Sequence, residues 1–195
     1  MNYNNEENRP EQPDLRSKLN NIGISLMLKQ GYESTTIRQI CREAGVAIGT
    51  FYIYFTSKSD LLEILYEVSD NYFSPMLSMD FGNRSASSLF EEFIETYIKL
   101  DVDSGLDKLK LLTNIHNKFS LQKRAPYKAL LRIVEYGQER GEFRDDYDID
   151  DMLDFVFDVL HGITKRYCIS DGAFDIASRI RLSSMMVLDA IRKRD

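Results

Sequence analysis

Between Thr36 and Phe55 the apolar positions fall into two short helical stripes that break at Ala44-Gly45. Thr36 followed three residues on by Gln39 has the form of a capping box, so a helix is predicted to start there. Ile37, Ile40 and Cys41 recur at spacings of three and four and give it one apolar side, opposite Arg38, Gln39, Arg42 and Glu43. Gly45 supplies the positive φ that ends this helix and permits a sharp turn. A second helix is expected from about Ala47 to Tyr54, anchored by Phe51 and Phe55 on one face. Thr50, Tyr52 and Tyr54 fall elsewhere on its wheel. Ser57-Lys58-Ser59-Asp60 reads as another cap, opening a long helix from Lys58 to about Ser78. That helix buries Leu61, Leu62, Leu65, Tyr66, Phe73 and Met76, with Pro75 marking a bend. A short helix, a glycine turn and a second short helix form a helix-turn-helix, which sets its second helix in the major groove of DNA.

The rest of the chain is also predicted to be helical. Leu89, Phe90, Phe93, Ile94 and Tyr97 make one apolar face, and Leu106, Leu109, Leu112, Thr113, His116 and Phe119 another. Tyr127, Leu130, Leu131, Val134 and Tyr136 continue after Pro126. Residues 78–88, 99–105, 140–148 and 170–173 read as connections. No run alternates as a half-buried strand would, so the fold class is all-α. The segment Ile149 to Ile169 carries apolar residues on nearly every side, and Phe174 to Lys193 follows as a last helix. A helix apolar all round must be covered on all sides, and a second copy of the chain is the economical cover. Met152, Val156, Val159, Leu160, Ile163, Leu182, Met185 and Met186 are the expected contacts of such a homodimer. A pair of helices that merely closes a monomeric bundle stays open as the alternative.

The stretch from Gly31 to Leu62 resembles the DNA-binding domain of the TetR-like (tetracycline-repressor) family of bacterial transcriptional regulators. The matching residues are Gly31-Tyr32, Thr35-Thr36, Ile40, Ala44-Gly45-Val46, Gly49-Thr50, Phe51-Tyr52, Tyr54-Phe55, Ser57-Lys58 and Asp60-Leu61-Leu62. The resemblance is close over residues 14–62 and elsewhere extends only to helical layout. It implies a three-helix DNA-binding domain over 14–62 and a ligand-binding and dimerisation domain over 63–195, joined by the long helix acting as a lever. It also implies a homodimer on a palindromic double-stranded operator, released by a small-molecule effector. Thr35, Thr36, Ala47, Ile48, Gly49, Thr50, Tyr52, Tyr54 and Lys58 are then the expected DNA-facing residues, Lys58 as a phosphate contact. Two departures matter. Ala47 and Ile48 stand where the family usually has a small hydroxyl and a base, and Ile53 where histidine is common. Ile48 either packs or touches a thymine methyl.

Composition refines this picture. The 31 acidic residues against 25 basic give the 195-residue chain a net charge of −6, which argues against a general nucleic-acid coat. From Asp14 to Lys58, however, six basic residues oppose three acidic, leaving −9 for the remainder. A positive end on an acidic body would orient the molecule on a duplex. Apolar content of 43% suffices for a real core. No apolar run is long enough to span a membrane and the start has no signal-peptide core, so a cytoplasmic location is expected. Cys41 and Cys168 are expected as free thiols, and residues 1–13 as a disordered tail.

Other chemistries fit less well. Asp146, Asp148 and Asp150 have the early spacing of a calcium loop. Asp151 stands where its glycine should be and Phe157 where its glutamate should be, so the cluster reads as a helix N-terminus. His116 and His161 have no second metal ligand at helical spacing, and there is no nucleophile elbow or phosphate loop. No cofactor, metal or catalytic residue is expected, and the chain does not read as an enzyme. Phe73, Phe93, Tyr97, His116, Phe119 and Tyr136 are candidate contacts for an apolar or aromatic effector. The competing readings are a helix-turn-helix factor that needs no ligand and a helical enzyme with an incidental DNA-like motif.

Overall fold

The structure, a computed structural model, describes residues 14–113 and 124–193. Among them the regular elements are α1 (Leu15–Gln30), α2 (Ile37–Ala44), α3 (Ile48–Tyr54), a 3-10 turn (Lys58–Leu62), α4 (Glu63–Ser78), α5 (Ala86–Thr113), α6 (Ala125–Glu139), α7 (Ile149–Ile169) and α8 (Ile176–Ile191). The one extended pairing among these residues is an isolated bridge between Phe143 and Arg192. The fold is all-α. The tail 1–13 and two of the expected effector contacts, His116 and Phe119, lie outside the described residues. The chain divides into two compact units, the first ending at Ile64 and the second beginning at Leu65.

In the first unit, Leu19, Leu26 and Met27 of α1 are buried, as are Ile40 and Cys41 of α2, Phe51 of α3, and Phe55, Leu61 and Leu62 beyond it, and α2 packs against both α1 and α3. The capping box holds: Thr36 Oγ1 accepts from Gln39 N at 3.2 Å, and Gln39 Oε1 accepts from Thr36 N at 2.9 Å. Gly45 ends α2 at φ 74°, ψ 33°, a left-handed conformation that any Cβ would strain. Lys18 Nζ donates to the Ala44 carbonyl at 2.9 Å, a cation at the negative end of α2. The long helix expected from Lys58 begins instead as a 3-10 turn. Asp60 draws the chain back there by accepting from Thr56 N at 2.7 Å and Ser57 N at 3.2 Å, and α-helical geometry starts at Glu63.

In the second unit α5 is central and packs against α6, α7 and α8. Its sequence defies one expected connection. Residues 99–105 stay helical up to Gly105, whose φ of 74° kinks the element before it continues to Thr113. Three carboxylates accept from backbone N–H groups at helix starts. Asp70 of α4 accepts from Ala125 N at 2.8 Å and pairs with Arg124, capping α6. Glu142 accepts from Ala86 N at 2.7 Å at the start of α5. Asp148 accepts from Asp150 N at 2.9 Å at the start of α7, the role its acidic cluster suggested.

The all-round apolar reading of α7 needs correction. Met152, Val156 and Leu160 are buried within their own bundle, so they are core residues and not surface contacts for a second copy. Val159 and Ile163 are half-buried, while Leu182, Met185 and Met186 of α8 are exposed, Met185 to 66%.

Gly137 of α6 has no room for a side chain: a Cβ there would meet Phe143 Cδ2 at 2.4 Å and Ala86 Cβ at 2.9 Å. Overpacking should outweigh the helix-propensity gain of Gly137→Ala. Urea denaturation of the variant is expected to show a loss of about 1–3 kcal/mol.

Candidate nucleic-acid interface and ligand cavity

Helix α3 is short, and its two sides differ sharply. Phe51 and Phe55 are buried, with ring centroids 5.2 Å apart, and fix the helix to its unit. Ile48, Tyr52, Ile53 and Tyr54 are exposed, Ile53 to 76%. Ala47 and Gly49 are also exposed and Thr50 is half-buried. Ala47 is the N-cap and makes no side-chain cap, as the missing hydroxyl predicts. The helix therefore presents to solvent a surface of two isoleucines, two tyrosines and small residues, backed by the buried Phe51–Phe55 pair.

Two of the expected DNA-facing residues have other work. Thr35 is 1% exposed, and its hydroxyl donates to the Gly31 carbonyl at 2.8 Å, closing the turn between α1 and α2. Lys58 is half-buried. Its Nζ donates to the carbonyls of Tyr32 at 2.5 Å and Thr35 at 2.8 Å, and lies 4.0 Å from the Tyr32 ring centroid. Burial pulls the pKa of this ammonium down, partly offset by the charge of Glu33. Lys58 thus holds the loop that carries Thr36 and is not extended towards a phosphate. Thr36 itself is exposed, but its hydroxyl is engaged in the capping box.

The second unit contains a cavity of about 440 Å³ between α4, α5, α6 and α7. Leu65, Tyr66 and Ser69 line it from α4, Tyr97, Leu100, Asp101 and Leu109 from α5, Tyr127 from α6, and Phe157, His161, Thr164 and Lys165 from α7. Of the expected effector contacts, Tyr97 is among the lining residues. Phe73 and Phe93 are fully buried and pack as core, their rings tilted with centroids 5.0 Å apart. Tyr136 donates instead to the carbonyls of Gly82 and Arg84, at 3.1 and 3.0 Å, and packs on Phe81. Periodicity could assign Phe73 and Phe93 to the inner face but could not separate core from cavity wall. It missed Tyr127 and Phe157, whose rings stack in series with that of His161 at 5.9 and 5.6 Å. His161 itself is one of the two histidines the sequence offers as a hydrogen-bond partner for an effector.

Asp101 is the wall's least expected member. It is 4% exposed, its Oδ2 accepts from Thr164 Oγ1 at 2.7 Å, and burial raises its pKa to about 6 against that hydrogen bond. Burial also lowers the pKa of His161, partly offset by the charge of Asp158, and pushes the Tyr97 phenol well up. Because the folded protein holds the Asp101 proton more tightly than an unfolded chain, the penalty is absent well below pH 4. It grows as pH rises through about 6. Asp101→Asn should therefore stabilise the protein by up to about 3 kcal/mol at neutral pH. Urea titrations of both proteins should converge as pH falls towards about 4.

Residues 23–65 match the family model of bacterial regulatory proteins, tetR family. The chain is 24% identical over 185 residues to the HTH-type transcriptional repressor KstR2 of Rhodococcus jostii, covering 90% of each. It is 22% identical over 165 residues to the fatty acid metabolism regulator protein of Bacillus subtilis, covering 80% of this chain and 84% of that one. Among solved structures, FadR of Thermus thermophilus, a transcriptional repressor in complex with lauroyl-CoA, superposes with a TM-score of 0.69 at 19% identity. The overlap spans 92% of this chain and 96% of that one. That likeness establishes the common fold. The capping box at Thr36, the left-handed turn at Gly45 and the whole of α3 fall inside the matched segment, so the helix-turn-helix of this chain is similar to that of the tetR family of bacterial regulatory proteins.

Proposed function

We propose that this protein is a ligand-responsive transcriptional repressor of the bacterial cytoplasm that binds a palindromic operator as a homodimer. A small, largely apolar or aromatic effector held in the cavity releases it. The observation that carries the DNA half of this reading is α3, whose outer side offers Ile48, Tyr52 and Ile53 to solvent over a buried Phe51–Phe55 anchor. Large apolar side chains left in water on a rigid helix mark a binding surface. The cavity supports the ligand half and favours it over a helix-turn-helix factor that needs no effector. The relatives are named as regulators, which accords with a non-enzymatic role.

Coupling follows from connectivity. The chain passes from the first unit to the second within α4, and the same helix contributes Leu65, Tyr66 and Ser69 to the cavity wall. An effector that binds the DNA-incompetent state more tightly shifts the population away from the operator-bound form. Coupling of about 1–3 kcal/mol would change operator affinity roughly 5- to 150-fold. Thermus thermophilus FadR was solved with lauroyl-CoA, which makes an acyl chain one candidate for the apolar occupant.

The homodimer is inferred from α7 and α8, which pack on each other and leave Phe155, Ile169, Leu182, Met185 and Met186 exposed. An obligate interface of roughly 2,000 Å² or more would cover them. Sedimentation of Met185→Glu should then give a folded monomer of 22.7 kDa that no longer retards operator DNA. Val156→Glu, at a core position, should instead unfold the second unit. A Met185→Glu protein that remains dimeric would remove this interface. On DNA, Ile48→Ala should change the ranking of operator variants in gel-shift competition. Tyr52→Ala should weaken all of them, and an unchanged ranking with Ile48→Ala would mean that this side chain reads no base.

A further inference from the structure

One group in the cavity wall has no use for a purely apolar occupant. Asp101 is almost wholly buried, and Thr164 Oγ1, at 2.7 Å, is its one hydrogen-bond donor among the described residues. A carboxylate has about four acceptor sites, so most of its capacity is unmet. Among the described residues no cation pairs with it. A buried carboxylate without a counter-charge is strongly unfavourable, and a chain that keeps one in a cavity wall holds it ready for a partner brought from outside.

The other polar groups of the wall narrow the choice. Its cations are already engaged: Arg124 pairs with Asp70 at 2.8 Å, and Lys165 Nζ donates to the Thr113 carbonyl at 2.9 Å. Burial disfavours the charged form of His161. Around Asp101 the surface is aromatic, with Tyr97 one turn away on α5 and the stacked rings of Tyr127, Phe157 and His161 across the space. Ring faces attract cations, and the attraction grows where water is excluded. A buried acid within an aromatic wall has the chemistry that suits a protonated amine.

We propose that this cavity takes a ligand with an aromatic or aliphatic body and a protonated amine, and that the amine is seated on Asp101. The assignment rests on the reading of the cavity as the effector site, and narrows it. A plain hydrocarbon chain filling the same space would leave the carboxylate buried and dry, whereas an ammonium would meet it with a charge-assisted hydrogen bond.

Three probes that share one ring system and differ in head group test this: 1-naphthylmethylamine, 1-naphthalenemethanol and 1-naphthoate. Each is titrated calorimetrically into the full chain at about pH 7.5, where the amine is protonated. The amine should bind about tenfold or more tighter than the naphthoate. Asp101→Asn, with folding verified by circular dichroism, should shrink that preference to within about threefold. An alcohol or carboxylate that binds the unaltered protein as tightly as the amine overturns the head-group assignment and leaves the cavity standing as a ligand site. Failure of all three probes to bind overturns the cavity reading as well. The unaltered protein's ranking of the three probes decides the matter even if the variant does not fold.

Discussion

A helix in a bundle of this size can bury one side in its own core, and the other side must be polar, covered by something else, or left apolar in water. Most helices here obey the first option. Three places do not. The outer side of α3 carries Ile48, Tyr52 and Ile53, α7 and α8 carry Phe155, Leu182, Met185 and Met186, and a cavity with mostly apolar walls remains inside the second unit. Each is a place where the chain's own folding leaves apolar surface unsatisfied. Binding DNA, binding a second copy and binding an effector are the three events that would cover them, and the proposed function assigns one event to each surface.

Much of the fold was legible in the sequence because its signals are local. The capping box at Thr36 and Gln39, the left-handed glycine at Gly45 and the bounds of α7 depend on residues within a turn or two of each other. What was illegible depends on contacts distant in sequence. Lys58 reads as an exposed cation at a helix start, yet it reaches back 26 residues to the Tyr32 carbonyl. Thr35 reads as a groove contact until its hydroxyl is seen to close the turn onto Gly31. Periodicity gives the inner side of a helix without saying what lies opposite. Hence Phe73 and Phe93 were placed on the right face but in the wrong role, and Met152, Val156 and Leu160 were assigned to a partner when their own bundle covers them. Asp101 fell inside a stretch that reads as a loop, where a carboxylate is unremarkable. Only its burial makes it informative.

The two halves of the molecule carry different kinds of chemistry on the same architecture. In the first unit charged groups engage the chain's own polar groups: Lys18 donates to the Ala44 carbonyl, Lys58 to those of Tyr32 and Thr35, and Asp60 accepts from Thr56 N and Ser57 N. The buried rings of Phe51 and Phe55 fix α3 to that unit, as the proposed readout of a groove demands. The second unit keeps an acid whose burial raises its pKa to about 6, a feature that lowers stability at neutral pH. Stability given up at a cavity wall is the ordinary signature of a site shaped for binding.

Protection of DNA is the most direct test of the central claim. Footprinting of the duplex flanking the protein's own gene, at low and at moderate salt, should reveal a protected palindrome. Its half-site centres should lie roughly 34–36 Å apart or a multiple of that, because two copies of α3 must enter grooves on one face of the helix. Protection should weaken steeply as salt rises, since phosphate contacts release counterions. A duplex that stays unprotected at every salt concentration, or protection without two-fold symmetry, would contradict the account.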